Sequence, residues 1–472
     1  MNVDEEARKS LADGFSDIAD QFQLPGPFTE ELLAETDRAI NISDTNGQPN
    51  WREGRRDATD LPLVTLDPAT STDLDQAFAL AVDGNSIVLH YALADVGAFV
   101  ASGSAIEQEA WHRGVTIYGL SEKIPLYPKQ ISQGAASLLP TGDRPAILVT
   151  ISIRPDGTTD LRSIEQVICA SRSKLAYDTV DLNAIPYLNT FAERMWANEI
   201  ARGAIRVEFP QQEVVSDSQA PGGVRLELRA KNNAESVNST LSLAVNLAIG
   251  NLFLQNGIGI FRVMDEPSPR SIEQLRRAAH ALNIDWHKDE TLRDLQRRMD
   301  SMNATHQRFL LDARRGGGKA TYAVFDPTRK PWHSAMAATY THATAPMRRL
   351  ADRYVLDLAE CLANQQKPTT EFLAKLNQLP DVMLRYETRA NNVDRAVIDL
   401  LEAVALQNRI GEVFVAEVID AGSSIVQTED AAIRARVQGL PKQIAEGQKI
   451  RVRIEAADPV HRRVTFSFID KA

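Results

Sequence analysis

The sequence has very little cysteine. Only Cys169 and Cys361 occur among 472 residues, far apart and without the spacing of metal ligands. A disulfide framework and a thiolate zinc site are therefore excluded. Cys169 lies in the apolar segment VICA, where we expect a small buried hydrophobic residue. Because so few cysteines favour a reducing compartment, we expect a cytoplasmic protein.

Long apolar runs are also missing. No continuous stretch of about 18 apolar residues occurs, so we expect no membrane contact. The first residues, MNVDEEARKSLADGF, are acidic and lack the apolar segment of a signal peptide. The net charge is −11, whereas nucleic-acid-binding proteins are usually basic. RNA as a partner therefore requires that the cationic side chains be concentrated in one channel.

The basic residues do form local groups. On charge alone, each group is as compatible with a solvated face as with a surface that binds phosphate. The groups are Arg52/Arg55/Arg56, Arg314/Arg315/Lys319, Arg348/Arg349/Arg353 and Lys449/Arg451/Arg453.

The length predicts two or three domains, because a single core rarely exceeds about 300 residues. Residues 1–50 form a small helical module, for which a helix-turn-helix-like arrangement is one option. Residues 52–405 contain strand-like segments followed by helical ones, which predicts an α+β domain. Residues 408–472 contain five short strand-like segments, which suit an OB-fold β-barrel, although another small barrel fits the same pattern.

The segment LVTLDPATSTDLDQAFAL combines an apolar strand with an acidic loop. Asp67, Asp73 and Asp75 repel one another there unless a cation joins them. Magnesium prefers oxygen ligands, often one or two carboxylates together with a substrate phosphate. The alternative is a solvated acidic turn. The loop lacks the glycine and the closing glutamate of an EF-hand, which disfavours a calcium sensor.

The segment YTHATAPMRRLADRYV predicts the start of a helix. Pro346 suits the first turn and Thr344 is a candidate cap. The free amides of a helix start favour an anion, and Arg348 and Arg349 add donors that can grip a phosphate. Asp352 follows Arg348 by four residues and is expected to orient it. The alternative is that both arginines simply face water.

With these segments in place, the chain resembles the ribonuclease II family, also called the RNB family, over residues 52–472. DPATSTDLDQA is similar to the acidic signature of that family. Three further segments match in order and spacing: RGVTIYGLSEKIPLYPKQISQGAASLLPTGDRPA, SRSKLAYDTV and YTHATAPMRRLADRYV. The last domain resembles the RNA-binding OB-fold that ends those enzymes.

The resemblance implies a processive 3′→5′ exoribonuclease, a hydrolase that degrades single-stranded RNA to nucleoside 5′-monophosphates in RNA turnover and processing. It implies Mg²⁺ as cofactor, with Mn²⁺ as a substitute, no organic cofactor and a monomer. The implied site residues are Asp75 and Arg348 for catalysis, Asp67, Asp73, Asp75 and Gln76 for the metal, and Tyr118, Tyr177, Arg348 and Arg349 for RNA.

The chain departs from the family pattern at several points. Gln76 stands where the signature has a second adjacent aspartate, and a glutamine is a neutral, weaker ligand for magnesium. Asp394 and Thr240 stand where the family has glutamates, and about fifty helical residues replace two cold-shock domains. Gln76 favours an alternative function, a catalytically impaired RNA-binding protein on an RNB scaffold. The retained Asp67, Asp73, Asp75 and Arg348 favour the nuclease over this alternative, and the terminal barrel disfavours an unrelated metal phosphoesterase.

Overall fold

The computed structural model describes residues 3–43, 47, 49–119, 123–205, 211–217, 224–300, 303–428 and 433–472. The helices are α1 Val3–Gln21, α2 Glu30–Asn41, α3 Ala105–Arg113, α4 Leu188–Arg202, α5 Asn233–Asn256, α6 Pro269–Ala281, α7 Leu292–Arg297, α8 Ala304–Gly316, α9 Leu350–Ala363 and α10 Thr370–Leu406. The strands are β1 Arg56–Asp57, β2 Val64–Asp67, β3 Gln76–Asp83, β4 Ser86–Ala94, β5 Ile117–Tyr118, β6 Lys123–Ile124, β7 Arg144–Ile153, β8 Thr159–Cys169, β9 Ser173–Ala176, β10 Gln211–Ser216, β11 Val224–Arg229, β12 Ile260–Val263, β13 Thr321–Val324, β14 Val413–Asp420, β15 Ile425–Thr428, β16 Arg434–Gln438, β17 Lys449–Asp458 and β18 Arg463–Lys471.

A seven-stranded sheet forms the centre of the molecule, in the order β1-β8-β7-β4-β3-β2-β9. Its neighbours pair antiparallel except β1 with β8 and β2 with β9. The middle strands are the apolar runs predicted from the sequence, and β7 is buried from Pro145 to Ile153. A strand that is buried on both faces lacks the usual alternation of polar and apolar residues. These middle strands lead through β3 to β2, which pairs with β3 on one side and β9 on the other and runs into the acidic loop.

Helix α5 belongs to the core around this sheet. By length and composition it could cross a membrane, but 67% of its most apolar window is buried inside the protein. It is apolar on all sides, as expected of a helix surrounded by protein. Asn232 and Glu235 form a capping box at its start. We therefore interpret α5 as a core helix.

Of the two N-terminal helices, α1 packs against the long helix α10 and α2 packs against α3. Thr29 caps the start of α2, since its Oγ1 accepts a hydrogen bond from the Leu32 amide at 3.3 Å. A Cβ added at Gly14 would lie 2.5 Å from a methyl group of Leu400, so a larger residue where α1 crosses α10 would require the Leu400 side chain to shift. The helical character of this module agrees with the prediction, and its helix-turn-helix-like function stays a prediction.

The C-terminal strands form a closed barrel in the order β14-β15-β16-β18-β17. Exposed and buried residues alternate along β16 and β17, and Phe414, Ile450 and Phe466 fill the interior. Leu406, from the end of α10, belongs to the same apolar cluster. The predicted α+β fold with a terminal OB-fold barrel is therefore confirmed, and the barrel is packed onto the rest of the chain through α10.

Candidate active site

The acidic loop connects β2 to β3 and is held by the surrounding chain. Asp67 is the last residue of β2, and Gln76 is the first residue of β3. Lys174 Nζ donates to the carbonyl oxygens of Ala69 at 2.6 Å and Ser71 at 2.5 Å. Leu74 is buried in the core and anchors the far side of the loop. The Lys174 hydrogen bonds and the packing of Leu74 therefore restrain the backbone of the acidic loop.

Asp75 occupies the most buried position in this loop. It is only 5% exposed, and its Oδ1 accepts a hydrogen bond from the Met347 amide at 2.8 Å. Arg348 Nε lies 3.2 Å from its Oδ2. Burial raises the pKa of Asp75 to about 7, against the lowering effect of Arg348 and the Met347 amide. A further cation close by would relieve the remaining electrostatic penalty of the buried charge.

Residues 343–349 form a turn across from Asp75, which we call the arginine turn. The helix predicted to begin at Pro346 begins instead at Leu350, so that prediction was wrong. The reason is that carboxylates take up the amides of the turn: Met347 donates to Asp75, and Ala345 donates to Asp352 at 2.8 Å. The predicted anion site at a free helix start is therefore absent from this described turn.

The two adjacent arginines have different environments. Arg349 binds Asp352 through two hydrogen bonds, Nε to Oδ1 at 3.0 Å and Nη2 to Oδ2 at 2.7 Å. Burial opposes the charge of Arg349, but Asp352 more than offsets this and raises its pKa. The expectation that Asp352 orients Arg348 was therefore wrong. The Arg348 side chain remains 45% exposed, and its guanidinium lies beside Asp75. Arg349 instead stabilises the turn through its ion pair with Asp352.

Asp67 and Asp73 differ in their partners. Asp67 Oδ2 is buried and has no hydrogen-bond partner among the residues that the structure describes. Burial raises the pKa of Asp67 to about 6. Asp73 instead pairs with Lys123, whose Nζ lies 2.5 Å from Oδ1, a contact that sequence reasoning missed. Within the described ranges, no three acidic, histidine or cysteine side chains converge as a ready cage for a metal ion.

Gln76 has a protein partner for each atom of its amide. Nε2 donates to the carbonyl oxygen of Thr344 at 2.7 Å, and Oε1 accepts a short hydrogen bond from the Tyr91 hydroxyl. Tyr91 is fully buried in β4 and carries no sequence signal that would have marked it. This arrangement favours a structural connection to the arginine turn over the predicted metal contact, which stays untested.

The two predicted tyrosines both lie close to the acidic residues. Tyr118 is 50% exposed and hydrogen-bonds with Arg348, although burial raises its pKa. Tyr177 accepts a hydrogen bond from Asn238 Nδ2 at 2.8 Å, and its backbone amide donates to the Asp67 carbonyl at 3.2 Å. Burial raises the pKa of Tyr177 to about 12. Of the two rings, Tyr118 is the one placed to meet a ligand that also contacts Arg348.

These residues together form an acidic site beside one exposed arginine. The unpartnered oxygen of Asp67 and the raised pKa values of Asp67 and Asp75 show negative charge that the described protein groups leave poorly compensated. A divalent cation fits this donor set, because magnesium commonly uses one or two carboxylates and takes its other ligands from water and substrate phosphate. Lys123 already compensates Asp73.

Comparison with known proteins identifies both parts of the chain. A model described as "RNB domain" matches residues 55–364, and one described as "RNase II-type exonuclease C-terminal S1 domain" matches residues 412–468. Ribonuclease R of Thermotoga maritima is 27% identical over 421 residues, covering 83% of this chain and 58% of the relative. The first three curated relatives are covered over 53% to 58% of their length.

Solved structures give the same fold. Mycoplasma genitalium RNase R in complex with ribose-methylated single-stranded RNA matches with a TM-score of 0.84 at 22% identity, covering 96% of this chain and 77% of that one. Yeast Ssd1, described as a pseudonuclease, matches with a TM-score of 0.65 at 16% identity, over 91% and 53% of the two chains. With the RNB model spanning the acidic loop and the arginine turn, the resemblance seen in the sequence is confirmed, and the chain belongs to the RNB family of ribonuclease II-type proteins.

Proposed function

We propose that this chain is a cytoplasmic 3′→5′ exoribonuclease that hydrolyses single-stranded RNA processively to nucleoside 5′-monophosphates. The observation that carries the proposal is the pairing of exposed Arg348 with the buried, undercompensated Asp75. A phosphodiester group placed between them meets a cationic donor on one side and acidic ligands on the other. The free cysteines suit a reducing compartment.

Arg348 is the residue that would engage the scissile phosphate. Its guanidinium is charged throughout the physiological pH range and offers several donors to phosphate oxygens. Because the backbone of the turn is tied to Asp75 and Asp352, the donors are already oriented when substrate arrives. Such preorganised donors stabilise the negative charge that develops on the phosphate during attack.

Asp67 and Asp75 would hold the catalytic cation, which we propose is Mg²⁺ with Mn²⁺ as a substitute. RNB-family nucleases are metal-dependent in general. When bound, such an ion supplies Lewis acidity and favours ionisation of the attacking water. The two carboxylates must be ionised for this role, and their raised pKa values in the absence of a cation couple metal binding to proton release.

The proposed reaction consumes one water for each nucleotide released. The water oxygen forms a bond to the phosphorus of the last phosphodiester, and the bond from that phosphorus to the O3′ of the penultimate nucleotide breaks. O3′ receives a proton and becomes the new 3′ end, while the terminal nucleotide leaves as its 5′-monophosphate. Tyr118, exposed beside Arg348, would stack on a base without selecting among bases.

The test is digestion of one RNA labelled at its 5′ end or its 3′ end, with Mg²⁺ or with EDTA. We expect a 3′ label to leave at once as a mononucleotide, and a 5′ label to persist in a short end product. EDTA should stop both, and DNA of the same sequence should persist because it lacks the 2′-hydroxyl. Release of mononucleotides from the 5′ end, or equal loss of DNA, would overturn the proposal.

A second candidate is an RNA-binding protein without turnover. Two observations favour this candidate, because each engages a predicted metal ligand within the protein. Asp73 forms an ion pair with Lys123, and both polar atoms of the Gln76 amide form hydrogen bonds. In that case the labelled RNA would bind tightly and remain intact with Mg²⁺ or Mn²⁺. The same experiment therefore separates the two candidates.

A further inference from the structure

We propose that Gln76 is a positioning residue, which holds the arginine turn in register with Asp75 through its hydrogen bond to the Thr344 carbonyl. This inference rests on the proposed nuclease function and assigns to position 76 a role other than metal binding. It starts from the fact that Asp75 and Gln76, neighbours in sequence, contact the same short turn. Asp75 accepts from the Met347 amide, and Gln76 donates to the Thr344 carbonyl.

The chemistry of the contact requires an amide at position 76. A backbone carbonyl can only accept a hydrogen bond, so the group facing Thr344 must be a donor. The Thr344 carbonyl therefore sets which end of the amide faces the turn, and the Tyr91 hydroxyl donates to the Oε1 atom at the other end. An aspartate or glutamate at this position would place an acceptor against an acceptor. The aspartate of the family pattern could therefore not make this hydrogen bond while ionised.

The remaining anchors of the turn come from other elements. Asn246 of α5 accepts from the Ala343 amide at 2.9 Å, and Asp352 of α9 accepts from the Ala345 amide. Of these contacts, those of Asp75 and Gln76 alone connect the turn directly to the acidic loop. The Arg348 carbonyl also accepts a hydrogen bond from the Thr116 amide at 3.0 Å. Loss of the Gln76 contact leaves these anchors and the Met347 bond to Asp75 in place, but it releases the Thr344 end of the turn from the acidic loop.

The consequence concerns Arg348, which follows the anchored residues directly. A shift of the turn moves its guanidinium relative to Asp75, and a misplacement of about 1 Å can cost about 10²-fold in rate. The proposed RNA contacts at Tyr118, Tyr177 and the barrel lie outside this turn, so KM should change much less. The expected signature is therefore a fall in kcat with KM and the magnesium half-saturation point nearly unchanged.

The experiment compares Gln76→Met, Gln76→Glu and Tyr91→Phe with wild type in steady-state RNA degradation and in a magnesium titration. We expect kcat to fall about 10²-fold for both changes at Gln76. For Tyr91→Phe we expect a fall of about fivefold, because Gln76 Nε2 can still donate to Thr344 but its amide loses the hydrogen bond from the Tyr91 hydroxyl. The matched control is Gln166→Glu, the same charge change at an exposed position of β8 in the same sheet, which should behave as wild type.

Gln76→Asp separates this role from metal binding. The positioning role predicts a lower kcat, because an acceptor replaces the donor. A metal-ligand role predicts instead that the added carboxylate lowers the magnesium concentration for half-maximal rate. A lower half-saturation point with undiminished kcat, or wild-type kcat in Gln76→Met, would overturn the inference.

One readout does not depend on turnover. Amide hydrogen exchange of the peptide covering residues 343–349 should be about fivefold faster in Gln76→Met, the effect of one lost hydrogen bond, and unchanged in Gln166→Glu. If wild type degrades no RNA, the proposed function fails while this measurement still decides the role of Gln76. Unchanged exchange in Gln76→Met would contradict it.

Discussion

Arg348 lies directly against Asp75, with Nε 3.2 Å from Oδ2, and the two side chains differ sharply in exposure. Asp75 is buried, whereas nearly half of the Arg348 side chain is open to solvent. The buried partner fixes the inner part of the guanidinium, and the outer donors face the region where a phosphate would lie. The contact with Asp75 thus restrains Arg348 while leaving its outer donors available to a ligand.

Asp75→Asn should abolish turnover and preserve RNA binding. The asparagine oxygen can still accept from the Met347 amide, so the turn should keep its place, but the charge that holds a cation is lost. We expect kcat to fall by more than about 10²-fold, as for other losses of transition-state charge stabilisation. The measurements are single-turnover degradation and the Kd for RNA in EDTA. A parallel loss of binding would show that Asp75 serves the channel and not the chemistry.

Arg348→Ala should reduce kcat by roughly 10²–10³, the loss that follows removal of one preorganised donor. Its thermal stability should stay close to wild type, because the side chain is 45% exposed and Asp75 keeps its amide donor. The measurement is kcat on saturating RNA, together with a thermal unfolding curve. Activity near that of wild type would mean that Arg348 simply faces water.

Arg349→Ala is the natural contrast at the neighbouring position. It leaves Asp352, whose side chain is fully buried, without its guanidinium partner. Breaking a buried ion pair costs about 3–5 kcal/mol, so the free energy of unfolding should fall by that order. Urea unfolding measures it. If Arg349→Ala kept wild-type stability and instead weakened RNA binding, the predicted RNA contact of Arg349 would be supported and the bracing role rejected.

The C-terminal barrel should supply additional binding contacts for longer RNA. In OB-folds the second and third strands form the usual surface for oligonucleotides, and Arg436 is exposed on β16, the third strand here. Arg436→Ala should weaken binding of a long RNA and reduce its salt dependence by about one charge, with little effect on a very short substrate. Arg453→Ala on β17 is the control. If both variants lost RNA affinity equally, the barrel would attract RNA by its overall charge and not through a defined surface.

Glu402 should make the free energy of unfolding depend on pH. It is buried near the end of α10, its Oε1 accepts from the Arg434 amide at 2.8 Å, and burial raises its pKa from 4.5 to about 7. The folded chain therefore binds the proton more tightly than the unfolded chain, so this group's stabilising contribution is complete below about pH 4.5 and is lost as the pH rises through about 7.

Glu402→Gln should remove this loss. At pH 8 the variant should be more stable than wild type, by an amount on the order of 3 kcal/mol, and the difference should shrink toward pH 4.5. Urea unfolding at both pH values measures it. A variant that is less stable at pH 8 would show that the carboxylate is held ionised by its neighbours.

The sequence predicted the strands of the central sheet, the acidic loop and the barrel, because each depends on local patterns. It grouped Asp67, Asp73 and Asp75 correctly in one loop between two strands, since they are adjacent in the chain. It failed at the start of α9. There, the local preference of Pro346 for a helix start is overridden by the Asp75 carboxylate, which binds the Met347 amide from a distant part of the chain.

The side-chain partners of the site residues were also not predicted correctly from the sequence. Asp352 was assigned to Arg348 by helical spacing, but with the helix beginning at Leu350 it faces Arg349 instead. The contacts of Lys123 with Asp73 and of Tyr91 with Gln76 join separate strands and loops. Side-chain pairing between segments is a property of the packed fold, and no spacing rule along the chain encodes it.

The hydrogen bond between the Asp75 carboxylate and the Met347 amide joins residues 272 positions apart. A ribosome that adds about 5–20 residues per second needs about 14–54 s to pass from one to the other. During that interval the growing chain carries the acidic loop without the turn that completes the site. The site is therefore assembled late in synthesis, and a chain that ends before the turn contains the carboxylates but not Arg348.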